Sequence, residues 1–150
     1  MTGAYIRAVT GPSHLTPRQR VFVAATLEDL SYPPPTEFRS GAADGVDTIA
    51  AYRALELWPE IAHTLYVPDG HHNFHLSEHW EHDRVYVPAG HDPAESYRLR
   101  NAAMVAGASE LLAFLFRPTF YRSGEWMTVG IAGRAGVRVV KVILPPRTET

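Results

Sequence analysis

Two glycines stand in a run of small residues, Phe38 to Asp47, that reads F-R-S-G-A-A-D-G-V-D. A β-prone stretch precedes this run, and an apolar periodicity from Val46 predicts a helix after it. In such a strand-loop-helix unit the loop N–H groups are unpaired, small side chains let a ligand approach the main chain, and the helix dipole favours negative charge. This chemistry indicates phosphate binding. The alternative is that Gly41 and Gly45 only form a tight βα turn.

Two other small-residue loops have the same character. Gly11-Pro12-Ser13 follows the first predicted strand, and the next helix begins with Thr16 as N-cap, Pro17 at its first position and Gln19 closing a capping box. Ser123-Gly124 opens the last predicted helix. Because ligands of α/β sheets bind beyond the carboxyl ends of the strands, the three loops can converge on one pocket. That convergence favours a nucleotide or sugar-phosphate ligand.

The elements that must hold these loops alternate along the chain, as β-α-β-α-β, an excursion at about 68–83, and β-α-β-α-β. This order predicts an α/β fold, a single Rossmann-like, doubly wound and mostly parallel sheet with helices on both faces. The apolar run Glu110–Phe116 predicts a strand buried on both faces. We expect one domain over residues 1–150, with a polar tail from Pro145. The first helix is predicted to face the sheet with Val21, Phe22, Ala25 and Leu30.

The excursion is dense in histidine. If it is helical, one side would carry His72, His75, His79 and His82, a spacing that could gather a metal. Zinc sites usually draw ligands from more than one element. We therefore expect no metal and interpret the segment as a solvated excursion or lid.

The composition is that of an ordinary globular domain, with 150 residues, 45% of them hydrophobic and 20% charged. The net charge of −2 disfavours nucleic acid as the main partner. Cysteine is absent, which excludes disulfides and thiolate chemistry. No leader peptide and no apolar segment of ~18 residues is present, so we expect a cytoplasmic protein without membrane association.

Four sequence blocks, in the same order along the chain, resemble the motifs of the SLOG superfamily. These Rossmann-like domains include the Lonely Guy phosphoribohydrolases, the YspA/YpsA-type proteins and the core of DNA processing protein A. Thr10–Ser13 resembles T-G-S-R, and Ser40–Asp47 resembles S/H-G-G-A-x-G-x-D. Arg100–Met104 resembles R-N-x-x-M, and Ser123–Thr128 resembles S-G-T-W-x-T.

The resemblance implies a pocket for a nucleotide or nucleotide-derived ligand, of the nucleoside monophosphate, ADP-ribose or NAD type. It implies no separate cofactor, and it implies a homodimer. Arg100 would reach the phosphate or the ribose. The base and ribose side would be lined by Gly11, Pro12, Ser13, Ser40, Gly41 and Ala42. The phosphate would be held by Ser123, Gly124, Glu125, Trp126, Met127 and Thr128.

Four side chains near the loops each have a functional interpretation and a plainer one. Arg100 could clamp phosphate oxygens, or it could be an exposed helix arginine paired with a carboxylate. Asp47 could accept from a ribose hydroxyl, or it could only complement the helix dipole. Asn101 could orient the loops or cover a helix end. Trp126 could stack on a base or simply pack.

The sequence departs from the Lonely Guy pattern where catalysis is concerned. Those enzymes break an N-glycosidic bond with a glutamate one turn into the helix after the phosphate loop, and here that position falls on or near Gly130. The first hypothesis is therefore a ligand-binding sensor, sponge or regulatory module. The alternative is a phosphoribohydrolase with Arg100 and Glu125 as catalytic residues, or with Asp47 as the carboxylate. A third hypothesis is a single-stranded DNA module, suggested by the S-G-x-x-x-T form of the last loop.

Overall fold

A computed structural model of the chain describes residues 3–30, 33–69 and 75–147. Within these ranges strands and helices alternate as the sequence predicts, and the α/β class is confirmed. The strands are β1 (Ile6–Thr10), β2 (Glu37–Ser40), β3 (Ala62–Pro68), β4 (Asp83–Val87), β5 (Glu110–Leu115) and β6 (Arg138–Ile143). The helices are α1 (Pro17–Asp29), α2 (Val46–Leu57), α3 (His75–His79), α4 (Pro93–Val105) and α5 (Gly124–Arg134).

The six strands form one sheet in the order β4-β3-β2-β1-β5-β6, and every neighbouring pair is parallel. From β1 the chain moves outward to β4 and then returns to place β5 on the other side of β1. The register of that central pair runs from Arg7 opposite Glu110 to Thr10 opposite Ala113. The winding direction therefore reverses between β1 and β5, which is where doubly wound sheets bind ligands.

Both faces of the sheet are covered by helices. On one face Val9 and Leu112 pack in a buried cluster with α1 and α2 residues such as Val23 and Ala50. On the other face Ala8 and Leu111 pack with residues of α4 and α5. Adjacent strand residues point to opposite faces, so β1 and β5 contribute to both cores. All six residues of β5 are buried, as the apolar run predicts.

The buried face of α1 is predicted only in part, because Phe22 and Leu30 pack against the core as expected but Val21 and Ala25 do not. Val21 is 71% exposed and Ala25 is also exposed, whereas Val23 and Leu27 are fully buried together with Gln19. The capping box of Thr16 and Gln19 forms as predicted. The amide of Gln19 also donates to the carbonyl oxygen of Pro145 at 2.8 Å. This polar contact inside the core sets the rotation of the helix, and apolar periodicity alone does not contain it.

The histidine-rich excursion contains α3 and leads into β4. Leu76 and Trp80 are buried against β3 and α2, so this part of the segment is packed rather than solvated. His71 and His72 lie outside the described residues. Among the residues that are described, no group of three or more possible metal ligands comes together. The described helices also include none with the length and hydropathy needed to cross a membrane.

Candidate functional site

A cavity of about 610 Å³ opens at the carboxyl ends of β1 and β2, beside the switch to β5. The loops after β1 and β2 form one wall of the cavity, and α4 and the first turn of α5 form the other. Its lining comprises Thr10, Gly11, Ser13, His14, Gly41, Ala43, Asp44, Asp47, Ala94, Tyr97, Arg100, Asn101, Met104, Gly124, Glu125, Met127 and Thr128.

The structure brings most of the candidate residues from the sequence to this cavity. Those that line it are Gly11, Ser13, Gly41, Asp47, Arg100, Asn101, Gly124, Glu125, Met127 and Thr128. Five others do not line it, namely Pro12, Ser40, Ala42, Ser123 and Trp126. Pro12 and Ser123 lie instead in an adjoining cavity of about 500 Å³.

Arg100 is the positive charge of the cavity, and its side chain is buried at 7% exposure. Its interpretation as an exposed helix arginine is therefore wrong. The guanidinium donates to the carbonyl oxygens of Gly41 and Tyr66, and its Nε donates to Asn101 Oδ1 at 2.7 Å. These bonds hold the guanidinium against the loop after β2.

The position of Arg100 explains why residue 41 is a glycine. A Cβ atom at Gly41 would lie 2.8 Å from Arg100 Nη1 and 2.9 Å from Asp47 Oδ2. Both distances are shorter than real Cβ contacts allow. The missing side chain thus makes room for a buried guanidinium and a buried carboxyl on either side of the loop.

Asp47 is the least satisfied polar group in the cavity. It lies in the first turn of α2 with 6% exposure, and its Oδ2 accepts from the Ala43 N–H at 3.3 Å. Its Oδ1 is buried and has no hydrogen-bond partner among the described residues. Burial raises the pKa of Asp47 to about 7, although Arg100 opposes this rise and the charge of Glu125 adds to it. The carboxyl can therefore serve as a donor or an acceptor near neutral pH.

Glu125 lies in the first turn of α5 and is 7% exposed. Its Oε2 accepts from the Tyr121 hydroxyl at 3.3 Å, and the same hydroxyl oxygen accepts from the Phe116 N–H at 2.8 Å. Burial raises the pKa of Tyr121, so its hydroxyl stays protonated and can donate. Tyr121 thus ties the loop after β5 to the carboxylate that faces the cavity.

Trp126 packs away from the cavity. Its ring contacts Phe120 and Tyr121 at centroid distances of 5.8 and 6.1 Å, and the Lys141 ammonium lies 5.2 Å from the ring centroid. The helix turns Glu125 and Thr128 inward at a spacing of three residues, and this leaves Trp126 on another face. The structure therefore matches the packing interpretation of this residue.

Ser40 and Ala42 determine the conformation of the loop after β2 without lining the cavity. Ser40 Oγ donates to the Asp47 carbonyl oxygen at 2.9 Å and accepts from the Ala42 N–H at 3.3 Å. Ala42 has a φ of 66°, in the left-handed region that L residues rarely adopt. The SLOG pattern has a glycine at this place, and a left-handed φ suits glycine better than alanine.

Seven lining residues were not among the predicted site residues, namely Thr10, His14, Ala43, Asp44, Ala94, Tyr97 and Met104. For two of them a signal existed, because Tyr97 and Met104 share one face of α4 with Arg100 at helical spacing. The Arg100 guanidinium carbon lies 5.9 Å from the centroid of the Tyr97 ring. His14 and Asp44 lie in loops, where no periodicity marks them.

Three solved structures resemble this chain across nearly its whole length. DNA processing protein A from Streptococcus pneumoniae superposes with a TM-score of 0.69 at 19% identity, covering 92% of this chain and 50% of that one. The same protein from Helicobacter pylori, whose structure describes single-stranded DNA binding, gives 0.64 at 17%, covering 91% of this chain and 64% of that one. This chain has the fold of the part of DNA processing protein A on which it superposes.

A third structure, a structural-genomics target named TM1055, gives a TM-score of 0.60 at 15% identity, covering 90% of this chain and 72% of that one. The Rossmann-like fold that the resemblance to the SLOG superfamily implies is thus confirmed. This chain spans only half of the S. pneumoniae structure of DNA processing protein A and 64% of the H. pylori one. No protein-family model matches the sequence, and no curated protein sequence matches it.

Proposed function

We propose that the chain binds a nucleotide or nucleotide-derived ligand in the cavity beside the β1–β5 switch, as a sensor, sponge or regulatory module. The observation that carries this proposal is the convergence of three small-residue loops with Arg100, Asp47 and Glu125 on one cavity of about 610 Å³. A volume of this size accommodates a mononucleotide. Loops at the carboxyl ends of parallel strands supply the N–H groups that phosphate requires.

The polar groups suggest how such a ligand would lie. The carboxyls of Asp47 and Glu125 would accept hydrogen bonds from ribose hydroxyls or a base amino group. The phosphate would lie at the start of α5, where the N–H groups of Gly124 and Glu125 have no partner within the helix. Arg100 would balance the charge of the buried carboxyls and fix the loop after β2.

A titration with AMP, ADP-ribose and NAD tests the proposal, with mass spectrometry of the solution and of the washed protein. We expect one of the three to bind, and Arg100→Lys to weaken its binding at least tenfold because a lysine cannot reproduce the forked contacts. Arg134→Lys is the matched control, since Arg134 is an exposed residue at the far end of α5. Binding of no nucleotide, or equal loss in both variants, would overturn the proposal.

The second candidate is a phosphoribohydrolase. Two buried carboxyls face one cavity, and burial raises the pKa of Asp47 to about 7. Glycosidic cleavage uses a pair of carboxyl groups that flank the scissile bond. In this reaction Arg100 would bind and polarise the substrate, and Glu125 or Asp47 would act as the carboxylate.

The same mass spectra decide between binding and hydrolysis. Release of free base and ribose 5-phosphate, abolished by Glu125→Gln or Asp47→Asn, would identify the enzyme. Retention of an intact ligand would identify the binding module.

A third candidate, single-stranded DNA binding, draws on the similarity to the H. pylori structure. The net charge of −2 opposes it. Titration of an oligonucleotide at two salt concentrations tests it, because binding through phosphates weakens steeply with salt. Absence of salt-sensitive binding would remove this candidate.

A further inference from the structure

Two more cavities adjoin the candidate site. One of about 520 Å³ lies between the start of α1 and the loop after β2, and the other is the cavity of about 500 Å³ at the start of α5. Ser13 and His14 line all three cavities. The three cavities therefore adjoin at this dipeptide.

The balance of charged side chains differs between the candidate site, which is the inner cavity, and the two adjoining outer cavities. The candidate site holds one arginine, Arg100, against the carboxyls of Asp44, Asp47 and Glu125. The cavity at α1 holds Arg20 and Arg147 against Asp44. The cavity at α5 likewise has two arginines, one of them Arg147, against Glu125. The side-chain charges thus favour an anionic group more strongly in the outer cavities than in the candidate site, where a phosphate depends on the helix N–H groups at the start of α5.

Arg147 stands between the two outer cavities, in a segment that the sequence alone predicts as a polar tail. That prediction is wrong for Pro145 and Arg147, which contact the body of the domain. The Leu144 N–H donates to the Leu115 carbonyl oxygen at 2.8 Å, and Gln19 donates to Pro145. The Arg147 guanidinium donates to the His14 carbonyl oxygen at 3.3 Å, and its central carbon lies 4.8 Å from the centroid of the Phe116 ring.

This placement reduces the entropy that an arginine loses on binding an anion. A guanidinium stacked on an aromatic ring is already oriented, and its remaining donors can form a forked contact with phosphate. Arg20 lines the same cavity from the first turns of α1. The two arginines therefore present donors to one volume from two sides.

We propose that Arg147 and Arg20 form a second anion subsite, so that the preferred ligand carries two phosphate groups, as a pyrophosphate-linked nucleotide does. The nucleoside occupies the candidate site and the outer phosphate lies on Arg147. The subsite rests on the proposed function for the identity of the ligand. Its anion chemistry can be measured separately with inorganic pyrophosphate.

Calorimetric titration with AMP, ADP-ribose and inorganic pyrophosphate tests the subsite in the wild type, Arg147→Gln, Arg20→Gln and the double variant. We expect ADP-ribose to bind at least tenfold more tightly than AMP. Arg147→Gln should weaken ADP-ribose about tenfold, the double variant should weaken it further, and AMP should stay within twofold. Arg134→Gln serves as the control and should change none of these affinities.

The outcomes separate this inference from the proposed function. Equal binding of AMP and ADP-ribose, or equal loss of both in Arg147→Gln, overturns the subsite and leaves nucleotide binding intact. Pyrophosphate binding that Arg147→Gln abolishes, without binding of AMP, supports the subsite and counts against the nucleotide pocket. Loss of oligonucleotide binding alone in Arg147→Gln overturns the inference in favour of a nucleic-acid strand.

Discussion

Two clusters of buried charge lie at opposite ends of the sheet. The amino-end cluster consists of Arg7, Glu110 and Tyr5, where Arg7 Nε donates to Glu110 Oε1 at 2.7 Å and the Tyr5 hydroxyl donates to the same carboxylate. The carboxyl-end cluster consists of Arg100, Asp47 and Glu125. Arg7 and Glu110 are 3% and 4% exposed, so the two clusters are about equally buried.

The clusters differ in how completely their charges are paired. At the amino end the carboxylate meets Arg7 directly, and Arg7 Nη1 also donates to the Leu30 carbonyl oxygen at 2.9 Å. At the carboxyl end Asp47 Oδ1 has no hydrogen-bond partner among the described residues, and the groups face a cavity. Burial without pairing is costly, so it persists where a ligand completes it. This difference is a reason for placing the proposed function at the carboxyl end of the sheet.

Breaking the amino-end pair should have the largest effect on stability. Glu110→Gln leaves the buried guanidinium of Arg7 without its counter-charge, and we expect a loss of about 3–4 kcal/mol in the free energy of unfolding. Urea denaturation measures it. Arg138 approaches Glu110 at 3.9 Å but is exposed, so Arg138→Gln should cost under about 0.5 kcal/mol. A similar cost for both variants would mean that the pairing at this end is unimportant.

Gly41→Ala should damage the carboxyl-end cluster by steric conflict. The new methyl group would lie within 3 Å of both Arg100 and Asp47, and we expect a loss of about 2–3 kcal/mol together with weaker nucleotide binding. In Gly133→Ala, on α5, the added methyl group meets no atom within 4 Å, and helix propensity should raise stability by up to about 1 kcal/mol. Thermal unfolding of the two variants should therefore shift in opposite directions.

Asp47→Asn should stabilise the protein at pH 8, the reverse of the effect at Glu110. Unfolded Asp47 ionises above about pH 4, whereas the folded carboxyl keeps its proton until about 7. The wild type therefore loses stability as the pH rises between these values, and this loss stays constant above them. The rise in pKa represents ~4 kcal/mol, and we expect about half of it because an amide brings its own unpaired donors.

Melting temperatures at pH 4 and pH 8 check the Asp47 prediction. The variant should exceed the wild type by several degrees at pH 8 and fall below it by a similar amount at pH 4, where the wild-type carboxyl is protonated and only the cost of the amide remains. A variant that is less stable at both values would show that ionised Asp47 is well paired in the folded protein.

Tyr121→Phe should have the smallest effect, because it removes one hydroxyl that joins the loop after β5 to Glu125. We expect a cost of about 1 kcal/mol, since the Phe116 N–H and the Glu125 carboxylate each lose one bond. Chemical denaturation measures the cost. Phe120 is 71% exposed, and Phe120→Leu is a control that should change stability little. Equal stability of Tyr121→Phe and the wild type would mean that water replaces the hydroxyl.

Prediction from the sequence was most successful for features that depend on residues close together in the chain. The Thr16 capping box, the buried β5 run and the loop glycines depend on neighbours a few residues away, and the order of elements followed from them. The burial of Asp47 depends on Gly41, α4 and α5 together. The rotation of α1 depends on a bond from Gln19 to Pro145, 126 residues later. Contacts of this range leave no periodicity to recognise.

The crossover that puts β5 beside β1 also delays assembly during synthesis. Arg7 meets Glu110 only after 103 further residues have been made, which takes about 5–20 s at ordinary translation rates. Until then β1 has a neighbour on one side only, and its other edge can pair with a foreign strand. The cavity can form only later, after the first turn of α5 has been synthesised. A nascent chain of this protein can therefore form part of the sheet well before it can form the cavity.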